Sequence, residues 1–126
     1  MKKKTSRKKL IEKLDKVFSL FIRLRDNCIC YTCGKRGEIR QMQAGHYVSR
    51  KCMLLRWDEK NVHCQCYACN VCKHGDLITY RERLVKDYGQ SAIEELESKR
   101  YITYKHSIED LEKLIDFYKN AIDKIK

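Results

Sequence analysis

The stretch GHYVSRKCMLLRWDEKNVHCQCYACNVCKHG, Gly45 to Gly75, sets three histidines, two asparagines and five cysteines in a single run. Near its end "CYAC" at Cys66–Cys69 answers "CYTC" at Cys30–Cys33. Two C-x-x-C knuckles can close a tetrahedral thiolate site around zinc, because each supplies two ligands from one tight turn. Residues 34–65 lie between them, 32 in number and enough for a hairpin that the metal pins at its base. Four more cysteines surround the knuckles. Cys28 and Cys64 each precede a knuckle by two, Cys72 follows the second, and Cys52 stands alone, so a register shift or a thiolate-sharing two-metal cluster stays open beside the simplest arrangement. That arrangement is one structural Zn²⁺ at Cys30, Cys33, Cys66 and Cys69, with the other four cysteines acting as small buried hydrophobes.

Length and termini agree with a metal staple. A chain of 126 residues makes one small domain, for which extra fastening is useful. The opening "MKKKTSRKKLIEKLDKVFSL" has no uninterrupted apolar run and no cleavage signature, which predicts a reducing, cytoplasmic setting where paired cysteines bind metal more often than each other. No stretch approaches the roughly 20 apolar residues of a membrane span, so no membrane partner is expected.

The net charge of +11 is concentrated at the amino end, where residues 1–25 hold ten basic and two acidic side chains. A polyanion is the natural partner for such a field, since lysine and arginine that neutralise phosphates release counterions. Lys2, Lys3, Lys4, Arg7, Lys8 and Lys9 are the candidate nucleic-acid contacts in that tail, with Arg50 and Lys73 beside the cysteine-rich run. The bland alternative is a solubilising, solvated tail.

No proline and no linker interrupts the chain, which reads as a single structural domain. Three segments compose it: a basic amphipathic helix within residues 1–25, a zinc-stabilised core over 26–89, and a helical segment over 90–126. Leu10, Leu14, Val17, Phe21 and Leu24 draw a helical stripe from Ser6 to Arg25. Ile39–Gln43 and Leu54–Trp57 are short strand candidates. Leu77, Tyr80, Leu84 and Tyr88 follow helical spacing up to Gly89, where a stop belongs. Ile108, Leu111, Ile115, Tyr118, Ile122 and Ile125 form a heptad seam, which either joins two subunits as a homodimer or packs on the amino-terminal helix of the same chain.

Between the knuckles, His46 follows the first strand candidate and Asn61 follows the second. Asn70 comes directly after the last proposed zinc ligand, with His74 four residues beyond. This order resembles the HNH, or ββα-metal, endonucleases, where a histidine ends the first strand, an asparagine braces the loop, and a histidine or asparagine opens the helix. Here N-x8-N-x3-H stands for that group's N-x8-H-x3-H. Several such nucleases also carry two C-x-x-C knuckles and an asparagine right after the last cysteine. The strings "AGHY", "NVHCQCYACN" and "YRERLVKDYG" further resemble the phage lambda NinG (Rap) family of recombination nucleases, over roughly residues 26–89.

The resemblance implies an α+β fold, a zinc-pinned β-hairpin plus helix flanked by terminal helices. It also implies a metal-dependent, structure-specific endonuclease acting on branched DNA (four-way junctions, D-loops, flaps), encoded by a phage or prophage and working in the bacterial host. His46 would be the base that deprotonates water, and Asn61 would orient its ring. Asn70 and His74, if neighbours on one helix face, would hold a catalytic Mg²⁺ or Mn²⁺. Asn70 could equally be a helix N-cap, and His74 helix surface. One departure stands out: many relatives place an aspartate before the catalytic histidine, whereas this chain has Gly45. Substrate phosphate and water, Asp58 or Asp76, or a softer ion such as Mn²⁺ would have to compensate. The competing class is a non-catalytic zinc-ribbon module that binds nucleic acid.

Overall fold

The computed structural model describes residues 6–125, so the candidate contacts Lys2, Lys3 and Lys4 lie outside the described residues. Helix α1, Arg7–Arg25, begins where the Ser6 hydroxyl accepts a hydrogen bond from the Lys9 amide at 3.2 Å, satisfying one of the helix's unpaired donors. Its buried side chains are Leu10, Leu14, Phe18, Phe21 and Ile22, with Val17 and Leu24 at the margin of the expected stripe. After a 3₁₀ turn at Ile39–Gln41, strand β1, Met42–His46, pairs antiparallel with β2, Val62–Cys66. Helices α2 (Leu77–Tyr88), α3 (Gln90–Ser98) and α4 (Ile108–Ile125) follow, which makes a mixed α+β fold with one two-stranded hairpin. Gly89 separates α2 from α3 at φ +93°, a conformation that a side chain would strain.

Two expectations about strands are corrected. The first strand starts later, at Met42, and Leu54–Trp57 is a set of turns rather than the second strand. Those turns form because Asn61 draws the Leu55 carbonyl inward at 3.2 Å, while Cys52 and Leu55 amides bond carbonyls three residues back. Asn61 consequently precedes β2 instead of following it.

The hairpin is a partition. Side chains alternate along a strand, so Ala44 and His46 share one face of β1 while Gln43 and Gly45 share the other. Ala44 and Val62 pack into the core between α1 and α4. Gly45 and His63 face α2 instead, where the Tyr80 hydroxyl donates to the Gly45 carbonyl at 2.7 Å and lies 3.3 Å from His63 Nδ1.

The heptad seam finds its partner inside the chain. Leu111, Ile115, Tyr118 and Ile122 are buried against Leu10, Leu14, Phe18 and Phe21, with the Phe18 and Tyr118 rings edge-on at 4.8 Å. Arg7 donates to the His106 carbonyl and ties the start of α1 to the approach to α4. Of the two arrangements expected for the seam, the structure shows the one within the chain: two complementary amphipathic helices tethered together meet at high effective concentration and cover each other. Among the described residues no helix is long and apolar enough to cross a membrane.

Ile115, only 4% exposed, sits mid-seam. Ile115→Ala is expected to lower the unfolding free energy by about 3 kcal/mol through lost transfer energy and a cavity. Urea unfolding at two protein concentrations checks it; a midpoint that shifts with concentration would mean that the seam joins two chains after all.

Candidate metal centre and histidine cleft

The first knuckle is a turn in which the Gly34 amide bonds the Cys30 carbonyl at 2.8 Å, with Gly34 itself at φ +80°. The second rides on a π-helical turn, Ala68–Cys72, directly after β2. Together they bring the four sulfurs of Cys30, Cys33, Cys66 and Cys69 within 4.8 Å of one another. Tetrahedral Zn–S bonds of about 2.3 Å require sulfurs roughly 3.8 Å apart. The Cys33 and Cys66 sulfurs stand 3.7 Å apart, at that spacing, and the other pairs need close by no more than about 1 Å to hold zinc. Burial opposes a thiolate at Cys30, but the Thr32 hydroxyl and backbone groups of Cys66, Cys33 and Thr32 bring it down to about 6. At Cys69 burial dominates and pushes the thiol up to about 12. A divalent cation amid the four would hold all of them as thiolates.

The remaining cysteines divide. Cys52 and Cys64 are buried as expected, Cys28 is half-buried, and Cys72 is exposed, which corrects its assignment to the core. Cys72 closes the π-turn with its side chain outward.

His46 ends β1 on the face toward α1, with its Nε2 2.9 Å from the Arg56 carbonyl. A carbonyl only accepts, so Nε2 carries the proton and Nδ1 keeps the lone pair. Burial lowers the ring's pKa from its ordinary 6.5, and the charges of Arg50 and Arg56 lower it further against the Arg56 carbonyl and Asp15. The ring is neutral at pH 7. Asn61 is fully buried and braces the loop: its Oδ1 accepts from the Val48 amide at 2.7 Å, and its Nδ2 donates to the carbonyls of Val48 and Leu55 at 3.0 and 3.2 Å. It acts on the loop that carries Arg56 rather than on the imidazole.

Sequence reasoning missed the acid that organises this cleft. Asp15 of α1 accepts from Arg50 at 3.0 Å, from Arg56 at 2.5 Å and from the Trp57 indole at 3.0 Å. The signal was available, because Asp15 is one of only two acids in a strongly basic segment. Around it Ser19, Arg23, Gln43, His46 and Arg50 line a cleft of about 320 Å³.

Asn70 and His74 lie elsewhere. Asn70 sits in the π-turn and donates at 2.7 Å to Oε1 of Gln43, a residue that also lines the His46 cleft. His74 is exposed in a turn at φ +52°, so the two do not share a helix face as expected. The reason is local: Lys73 and His74 amides close onto Ala68 and Val71 carbonyls, and Asp76 at φ +49° starts a new helix. Asp58 is spent capping the Lys60 and Asn61 amides at 2.8 and 3.2 Å. Among the described residues, only the four cysteines form a group of three or more His, Cys, Asp or Glu side chains able to share an ion. Asn70 and His74 are thus not neighbours on one helix face, the arrangement expected to hold a catalytic Mg²⁺ or Mn²⁺.

Gly45 has its own cause. A Cβ there would stand 1.8 Å from Gln65 Oε1 and 2.6 Å from its Cδ. Gln65 cannot swing away, since it is fully buried and donates to Thr32 Oγ1 at 3.1 Å and to the Gly75 carbonyl at 2.9 Å. Of the candidate phosphate contacts, Lys8, Lys9, Arg50 and Lys73 are exposed, whereas Arg7 is half-buried on its bond to His106.

A family profile described as Bacteriophage Lambda NinG protein matches residues 1–126. Protein ninG of Escherichia phage 933W is 40% identical over 90 residues, covering 70% of this chain and 44% of that protein. The proteins of the same description from Escherichia phage lambda and Salmonella phage P22 are each 39% identical with the same coverage. The chain thus spans less than half the length of the curated relatives it matches. No solved structure matches it.

One zinc per chain is expected by elemental analysis, lost in Cys66→Ser and kept in Cys72→Ser; zinc retained in the former would refute the four-thiolate site. Gly45→Asp, which writes in the acidic residue, is expected to cost about 1–3 kcal/mol by overpacking against Gln65. A thermal melt that rises in Mn²⁺ for this variant would instead show a carboxylate accommodated and ligating.

Proposed function

Given that this chain belongs to the bacteriophage lambda NinG family, we propose that it is a structure-specific DNA endonuclease of the HNH type, acting on branched recombination intermediates in the host cytoplasm. The observation that carries the proposal is His46: a neutral imidazole, tethered through Nε2 to the Arg56 carbonyl, with Nδ1 left to accept a proton beside Arg50 and Arg23. A base poised below neutrality and two guanidiniums at one cleft are what phosphodiester hydrolysis needs from a protein.

In this mechanism His46 Nδ1 takes a proton from water as the oxygen attacks phosphorus. The bond to the 3′ oxygen breaks, and that oxygen is protonated from solvent. Arg50 is the accessible guanidinium, 60% exposed and paired to Asp15 on one side only, so a phosphate can compete for it. Arg56, at 14%, stays with Asp15 and holds the carbonyl that orients the ring. The thiolate site keeps the hairpin together and takes no part in the chemistry. A divalent ion would add positive charge at the phosphate, but no step is routed through one, because Asn70 and His74 do not present it a joint set of donors. Two nicks in a four-way junction would require two copies, meeting on a surface other than the α1–α4 seam.

A non-catalytic zinc module is the second reading, favoured by a four-cysteine set that leaves a tetrahedral ion no open position for substrate. His46→Ala separates the two. Its cleavage of labelled four-way and flap DNA, assayed with Mg²⁺ or Mn²⁺ supplied, is expected to fall by at least about 100-fold, the usual loss for a missing base, while junction binding persists. Because the base works deprotonated and burial lowers its pKa, the wild-type rate should rise with pH, reach half its plateau below 6.5, and be flat by neutrality. Cleavage undiminished in the variant would defeat the nuclease reading.

A further inference from the structure

The loop that carries Arg50 toward the His46 cleft turns its other side to a second concavity. This groove, about 570 Å³, is lined by residues 47–49 and 51–53, Leu77 and residues 100–104. No carboxylate is among them, and Lys51 and Arg100 supply the charge. The strap between α3 and α4 reads Lys99-Arg100-Tyr101-Ile102-Thr103-Tyr104-Lys105-His106, with three lysine or arginine residues, two tyrosines and no acid. Tyr101 is 90% exposed, Ile102 50%, Leu77 45% and Tyr104 42%. Isolated exposed apolar side chains are ordinary, but four that share one groove mark a binding surface.

We propose that this strap is the landing site for unpaired nucleotides of a branched DNA substrate, with bases stacking on Tyr101 and Tyr104 and phosphates passing Arg100 and Lys51. The proposal rests on the nuclease reading for the identity of the substrate. Charge selects a polyanion over an ordinary protein partner, and the aromatic rings select unpaired bases over duplex. A duplex offers phosphates and base edges, whereas a single strand offers π-faces that stack on any aromatic ring regardless of sequence. The strap is also held in place before binding, which reduces the ordering cost. The Lys99 carbonyl accepts from Cys52 Sγ at 3.6 Å and from the Ile102 amide at 3.1 Å. His106 Nε2 meets the Met53 carbonyl at 2.9 Å, and the Tyr104 ring rests edge-on against His106 at 4.7 Å.

Position completes the inference. Arg50 lines the His46 cleft and Lys51 lines the groove, and consecutive Cα atoms are about 3.8 Å apart. A strand lying in the groove therefore needs to cross only one loop to deliver its phosphate to His46. The strap would thus admit the unpaired arm next to a branch point.

Fluorescence anisotropy without added divalent ions tests this on oligothymidylate, a flap and a blunt duplex of equal length. Tyr101→Ala with Tyr104→Ala is expected to weaken oligothymidylate and flap binding by about 30-fold or more, the low end for two lost base stacks, and to leave the blunt duplex unchanged. Tyr101→Phe with Tyr104→Phe should bind as wild type. The single change Tyr101→Ala, at a side chain almost wholly in water, should carry the larger part of the loss with zinc content retained, which sets the effect apart from a disturbed His106. The proposal is overturned if the wild type does not bind oligothymidylate, if the double variant binds it normally, or if duplex affinity falls equally. Should the strap variants lose oligothymidylate while His46→Ala still cuts, the strap stands and the assignment of chemistry to His46 fails; the reverse pattern removes the strap and leaves the nuclease.

Discussion

Four sulfurs held within 4.8 Å decide where everything else can be. Cys66 is both the last residue of β2 and a member of the thiolate set, so closing the knuckles fixes its pairing with Met42 and that of its neighbours up to His46 opposite Val62, four rungs on. A slip of one residue would turn every side chain of the hairpin over and point His46 at α2. The same anchor reaches α1, because Asp26 at the helix end accepts from the Cys64 amide at 2.8 Å and from the Arg25 guanidinium at 2.8 Å. A metal held by the four cysteines would fix that register and so substitute for the larger core that a longer domain builds.

A second constraint is electrostatic. Laying a basic loop against a basic helix is unfavourable unless something between them is negative, and Asp15 is that group. It draws Arg50, Arg56 and Trp57 onto α1, and in doing so sets the Arg56 carbonyl where His46 Nε2 can donate to it. The two arginines then differ in exposure and in pairing, since Arg56 meets both Asp15 oxygens and Arg50 only one. The one at 14% is structural, and the one at 60% can exchange its carboxylate for a phosphate. Field and fold are thus shaped by the same ion-pair cluster.

The helices and knuckles were legible in the sequence because each is a local code: apolar spacing of three and four residues for α1, α2 and α4, and a two-residue gap between paired cysteines. Strand β2 was not. All five of its residues are buried, so "VHCQC" shows no alternation of polar and apolar side chains. Its His63 meets Tyr80 and Tyr88, and the Gln65 amide nitrogen donates to Thr32 and Gly75, which is what makes these two polar side chains tolerable inside. The apolar run Leu54–Trp57 reads as a strand in its place, although its backbone is bent by Asn61, which holds the Leu55 carbonyl from six residues away. A heptad seam likewise states that a partner exists, not which chain provides it. Helix α3 was unread, being nine residues with two buried side chains, Ile93 and Leu96, that complete the core around Tyr80 and Leu84.

The site residues teach a related lesson about order and place. His46, Asn61, Asn70 and His74 follow one another in the chain, yet His46 faces α1, Asn61 is enclosed by its own loop, Asn70 meets Gln43, and His74 turns into solvent. Strand alternation makes the consequence definite for Gly45. Its absent side chain would point toward α2, into volume that Gln65 fills so tightly that Gln65 Oε1 is left without a hydrogen-bond partner among the described residues. A carboxylate at position 45 would therefore not have stood beside the His46 imidazole in this hairpin; it would have displaced Gln65 on the far face. What stands beside the imidazole is a pair of arginines on an aspartate, so charge on a bound phosphate would be met there by guanidinium groups that the loop and α1 already hold in position.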